Sequence, residues 1–175
     1  SLRGLHYWGA GLVVVAAVLH LARVVWAGSY RRPREVTWLS GLWLLAIVLG
    51  LAATGAILPW DQRAYWSVAA VLRAASVTPW YVVHAMVLPA LLAVLVVKHL
   101  YLVGHHGLAG PAVLRPGPTR PLRSVLVFRV LIVLLLAAAV LGVLAWLGAP
   151  MQQPPADAAL RVQQPRPDWY FLGLD

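Results

Sequence analysis

Four of the six histidines lie inside long apolar runs: His6, His20, His84 and His99. An imidazole at membrane depth is costly to place and is a functional candidate by default. Spacing says what the function could be. His6 and His20 are 14 residues apart. At about 100° per residue that is about 40° short of a whole number of turns, so the two share one helix face about 21 Å apart along the axis. His84 and His99 are 15 apart, about 60° past a common face and about 22 Å along the axis. A kink at Pro89 between them is expected to absorb the offset. One such histidine reads equally well as a hydrogen-bonded packing or proton-relay residue. Two pairs matched in depth read differently. Two imidazoles facing each other at each of two levels is what bis-imidazole ligation of two haems requires. Zinc fits less well, because no carboxylate or thiol stands near either pair. His105 and His106 end the third apolar run. They read first as solvated interfacial residues, with a proton-handling role as the alternative.

Other residues fall where such a centre needs them. Gly41 and Gly55 are also 14 apart. Without a Cβ, each lets a flat macrocycle approach the backbone, although small residues equally serve helix packing in membranes. Arg3 precedes His6 by three and Arg23 follows His20 by three. Each is placed to pair with a propionate, the alternative being a side chain that snorkels to the interface.

These residues are carried by four apolar stretches, roughly 5–27, 38–58, 80–103 and 124–147. Each is long enough to cross a bilayer, which takes about 20 helical residues. Lipid offers the backbone no hydrogen-bond partners, so all four should be helical despite their valines. The expected fold is all-α, a polytopic transmembrane bundle with haems between helices. Composition agrees. Of the 175 residues, 62% are hydrophobic and 11% charged, against about 45–50% and about 25% in soluble domains. That excludes a soluble globular domain and a disordered tail. The net charge of +9 would suggest nucleic acid in a soluble protein, but nine Trp and the apolar runs assign it to a membrane instead. With no cysteine, disulfides, Cys-ligated zinc, iron–sulfur clusters and thioether-attached haem on this chain are excluded. The sequence opens almost directly into an apolar run, without the pattern of a cleavable signal peptide.

Gly28 to Pro33 closes the first stretch and Leu58 to Asp61 the second. Gly107 to Pro121 reads as a loop, and the Pro-rich segment 149–168 as an excursion outside the membrane. Charge orients the bundle. Nine Lys and Arg against Glu35 alone surround the first-to-second and third-to-fourth connections, whereas the opposite side carries five Arg against four Asp. The positive-inside rule makes the former loops cytoplasmic.

At this level of detail the sequence resembles a family. His6 and His20 with Arg3 and Arg23, then Gly28-Ser29-Tyr30, Pro33-Arg34-Glu35, Trp38 and Gly41, resemble the haem-binding half of cytochrome b from quinol–cytochrome c reductases. So do Gly55, Leu58-Pro59-Trp60-Asp61-Gln62 and Trp66. His84 to Pro89, with His99, Gly107 and Gly110-Pro111, is similar to the wider-spaced cytochrome b6 branch. Pro167-Asp168-Trp169-Tyr170-Phe171-Leu172 resembles the PEWY-type motif of the outer quinol site.

The resemblance implies two b-type haems. His6 and His84 would ligate the low-potential haem near the outer face, and His20 and His99 the high-potential haem near the cytoplasmic face. Arg3, Arg23, Gly41, Gly55, Ser29 and Trp38 would line them. Asp168, with Tyr170 beside it, would serve the outer site, Asp168 accepting a proton from quinol. Asp in place of Glu at that position points to menaquinol. The resemblance divides the chain into three dihaem-type spans over 1–111 and, over 112–175, a fourth span with the outer quinol-site segment. It implies a dihaem subunit of a quinol:cytochrome c oxidoreductase. The partners would be a Rieske-type iron–sulfur protein, a c-type cytochrome subunit and the remaining cytochrome b segment, in a dimeric complex of the bacterial inner membrane without nucleic acid. The alternative is a dihaem electron conduit or membrane anchor of another quinone-linked complex, without bifurcation. The sequence also departs from the pattern. The family's first helix is absent before Ser1, the segment between Trp66 and Thr78 is short, Pro79 stands where an Arg is usual and Ala56 where a Tyr is. These departures suggest a piece of a longer chain.

Overall fold

The computed structural model describes residues 1–66, 76–106, 122–148, 155 and 157. The four apolar stretches are helices. They comprise α1 (Leu2–Trp26), α2 (Glu35–Ile57), a third span from Thr78 to His106, and α6 (Leu122–Leu147). The third span is built from α4 (Thr78–Val82), a π-helical turn (Val83–Val87) and α5 (Leu88–His106). A short helix, α3 (Gln62–Ala64), follows α2. All four spans are long and apolar enough to cross a membrane. Large apolar side chains such as Leu134, Leu135 and Val133 on α6 are exposed. In water that would be a liability, but in a bilayer they face a solvent as apolar as themselves. The expected all-α membrane bundle is therefore what forms.

Local chemistry ends the helices where the sequence suggested. Past Ala27, Gly28 takes φ +60°, and the N–H groups of Gly28 and Ser29 donate to the carbonyls of Val25 and Val24. This paired closure satisfies carbonyls that a helix end leaves over, and the left-handed residue costs glycine nothing. After α2, Trp60 holds φ 47°, unusual for a residue with a Cβ. Asp61 then caps α3, accepting from the Ala64 N–H at 2.8 Å.

The third span departs from expectation. A π turn over Val83–Val87, which contains His84, takes up a register offset that was expected of a kink at Pro89. The Leu88 N–H reaches back to the Val83 carbonyl. Pro89 has no N–H to continue a tight ladder, and its ring would collide with the carbonyl one α-turn back. Widening the turn relieves both and accommodates one extra residue.

The described residues divide into two units, one within 1–38 and 102–150, the other within 39–101 and 151–175. In the first, α1 packs on α6. There the Trp8 indole N–H donates to the Gly148 carbonyl at 3.0 Å, and a Cβ on Gly9 would meet Leu141 at 3.8 Å. In the second, most of α2 packs beside the third span. Beyond it, the Gln62 side-chain amide pairs with the main chain of Asp157, donating to its carbonyl at 3.0 Å and accepting from its N–H at 2.7 Å. Asp61 and Pro155 bridge alongside.

Candidate functional site

Within the second unit, α2 and the third span run antiparallel and meet at two levels. At one level, Ser40 Oγ lies 2.8 Å from His99 Nδ1, and a Cβ on Gly41 would stand 3.4 Å from His99 Cε1. At the other, Thr54 Oγ1 lies 3.0 Å from His84 Nδ1, and a Cβ on Gly55 would stand 2.8 Å from His84 Cε1. Fourteen steps along α2 thus match fifteen along the third span, and the π turn is what makes the two counts agree. Ser40 and Thr54 are buried, while the two imidazoles are half-buried.

A hydroxyl beside an imidazole nitrogen decides which nitrogen keeps its lone pair. Thr54 Oγ1 donates its one proton back to the main chain, to the Gly50 carbonyl at 2.8 Å with the Leu51 carbonyl at 3.2 Å. Toward His84 it can only accept. Nδ1 is therefore the His84 nitrogen that hydrogen-bonds Thr54.

In the first unit, His6 and His20 sit on α1 with Arg3 and Arg23, all exposed at that helix surface. Helical register puts both histidines on one face of α1. Ser29 lies in the closure after α1, and the Trp38 ring packs 5.7 Å from Tyr30, tilted by 48°. Asp168 and Tyr170 lie outside the described residues.

Two features went unread in the sequence. His106 Nδ1 lies 2.9 Å from the Thr37 hydroxyl, and its carbonyl accepts from Arg34 Nη2 at 3.3 Å. His105 packs edge-on to it at 5.3 Å. So His106 is held to the start of α2 and is more than a solvated interfacial residue. Arg34 itself keeps a buried Nε with no hydrogen-bond partner among the described residues. A buried guanidinium nitrogen of this kind is costly unless an acceptor arrives. The sequence signal was its place in Pro33-Arg34-Glu35, where it counted toward loop charge and the resemblance but was given no role of its own.

Comparison with known proteins gives this geometry its context. Residues 11–80 match the family described as Cytochrome b(N-terminal)/b6/petB. The menaquinol:cytochrome c reductase cytochrome b subunit of Bacillus subtilis (strain 168) is 33% identical over 133 residues, covering 62% of this chain and 59% of that one. Cytochrome b6 of Mastigocladus laminosus is 35% identical over 133 residues, covering 63% and 62%. The chain is similar to cytochrome b and cytochrome b6 over this stretch. Cytochrome b6 of Heliobacterium mobile is similar to the same degree, 33% over 134 residues. The chain spans about three fifths of the length of these curated cytochrome b relatives. With four membrane-length helices and membrane cytochromes as relatives, it is an integral membrane protein.

The side chains fit the b-type haem that this family implies. His84 and His99 are each held through Nδ1, by Thr54 and Ser40, at two separate levels. The glycines were expected to make room for the macrocycle. In the structure the groups nearest them are the imidazoles themselves, which gives a first prediction. Gly55→Ala drives a methyl to 2.8 Å from His84 Cε1, whereas Gly41→Ala meets His99 at 3.4 Å. Overpacking of the first kind costs about 1–3 kcal/mol. Thermal unfolding in detergent should show a clearly lower Tm for Gly55→Ala and a small change for Gly41→Ala. Equal effects would contradict the close approach at Gly55.

Proposed function

We propose that the chain is the dihaem cytochrome b-type part of a quinol:cytochrome c oxidoreductase, with menaquinol as the quinol. The observation that carries this reading is the pair of histidines on the third span, each held through Nδ1 at the two levels where α2 has its glycines. His6 and His84 would hold one iron toward the outer face, and His20 and His99 the other toward the cytoplasmic face. When bound, the haems supply one-electron carriers between an outer quinol-oxidising site and a cytoplasmic-side quinone-reducing site.

The protein does the rest. Apolar helices exclude water and fix the separation of the two centres. Arg3 and Arg23, joined by Arg34, neutralise propionates with charge-assisted hydrogen bonds. Gly41, Gly55, Ser29 and Trp38 line the cofactor faces and edges. Asp168 takes the proton of the outer quinol, with Tyr170 next to it in the motif. A Rieske-type iron–sulfur protein would accept one electron on the outer side. A c-type cytochrome subunit and the remaining cytochrome b segment would complete a dimeric complex of the bacterial inner membrane, its basic loops cytoplasmic.

A reduced-minus-oxidised spectrum of the purified protein tests the reading: two b-type components are expected, and no haem absorbance would end it. The arginines carry their own prediction. Removing a cation beside a propionate disfavours the more negative, reduced centre. Arg3→Gln should therefore lower the midpoint potential of the outer haem, and Arg23→Gln that of the cytoplasmic one. Unmoved potentials in both variants would make these residues interfacial anchors instead.

A further inference from the structure

The contacts of α2 repeat. Ser40-Gly41 and Thr54-Gly55 are each a hydroxyl residue followed by glycine, 14 positions apart. In each, the hydroxyl meets the Nδ1 of a histidine on the third span, at 2.8 Å and 3.0 Å. In each, the glycine lies under the Cε1 of the same ring, where a Cβ would reach 3.4 Å or 2.8 Å. The hydroxyl and the missing methyl act on adjacent atoms of one imidazole. Packing between helices needs neither in this order, and the Gly50 and Leu51 carbonyls would satisfy the Thr54 hydroxyl without any histidine.

We propose that Ser40-Gly41 and Thr54-Gly55 are two imidazole seats: the hydroxyl fixes Nδ1 as the hydrogen-bonded nitrogen, the glycine lets the ring lie against α2, and Nε2 is presented to the metal centre. Ser40 and Thr54 are positioning residues, acting through His99 and His84. The inference rests on the reading that these two histidines ligate haem iron, and it adds a consequence. An imidazole that donates from Nδ1 is a more basic ligand, which favours the ferric state. For Thr54 the direction is fixed, because its own proton is spent on the main chain. The Thr54 seat therefore holds the potential of the haem at His84 lower than His84 alone would set it.

The test compares Thr54→Val with Thr54→Ser in the purified complex, reading the midpoint potential of each haem and the haem content. Val keeps the shape and removes the acceptor, whereas Ser keeps the acceptor. In Thr54→Val the redox equilibrium of the His84 haem should shift about tenfold toward the ferrous state, a rise of about 59 mV for one electron. The His99 haem should not move, and Thr54→Ser should restore the parent potential. Potentials unmoved in Val at full haem content, or moved as far in Ser as in Val, overturn the proposal. If Val fails to assemble, Ser40→Ala gives an independent reading: it should move the His99 haem alone, and an unmoved His99 haem overturns the proposal. His84→Leu separates this from the reading beneath it. If that variant keeps both haems, the ligand assignment fails. If it loses one haem while Thr54→Val moves nothing, the ligands stand and the seats are overturned.

Discussion

His20→Leu or His99→Leu is expected to leave a protein with one haem of its two, the outer one, spectrally unchanged. In either variant the cytoplasmic-side iron would lose one of its two axial nitrogens, and Leu offers no replacement. The two centres should respond separately. The histidines proposed to hold them on α1 are 14 residues apart, about 21 Å along the axis. On α2 their partners are different residues, Ser40 and Gly41 for His99 and Thr54 and Gly55 for His84. Substituting His99 leaves the Thr54 contact intact. Pyridine haemochrome content and the reduced-minus-oxidised spectrum measure the outcome. Loss of both haems from protein that still inserts would count against two independent sites, as would retention of both.

The spans were legible because lipid removes the alternatives. A run of about 20 apolar residues has only helix available to it, and α1, α2, the third span and α6 begin and end within a few residues of the apolar stretches. Helical arithmetic also gave the offset between His84 and His99. It could not give the device, because a proline kink and a π turn absorb the same extra residue. Only the contacts at Ser40 and Thr54 show that register is restored between His84 and His99.

The histidines proposed as ligands stood out in the sequence, and the residues that touch two of them did not. A histidine in an apolar run stands out, whereas a serine or threonine there passes as a small packing residue. The signal that existed was the hydroxyl-glycine pair occurring twice at the same 14-residue spacing. It has meaning only once an antiparallel helix with histidines is placed against it. Arg34 was hidden in a similar way. Three arginines in the loop set the charge balance, and only burial distinguishes the one whose Nε lacks a partner among the described residues.

Asp168→Asn should lower quinol oxidation by roughly 10²–10⁴-fold, the usual share of general base catalysis, with both haems retained. The carboxylate can serve if desolvation brings its pKa toward working pH. Asn keeps its size and most of its shape but cannot accept the proton. Asp168 lies outside the described residues, and what supports its role is the Pro167-Asp168-Trp169-Tyr170 motif. The Gln62 amide holds the main chain at Asp157, eleven residues upstream. That anchor lies just beyond α2, whose last turns carry Thr54 and Gly55. Steady-state turnover with a menaquinol analogue, normalised to haem, is the measurement. A fall in kcat with an unchanged spectrum assigns the base. Turnover equal to the parent would remove Asp168 from the chemistry and favour a dihaem electron conduit that carries charge between a quinone pool and a partner without bifurcation.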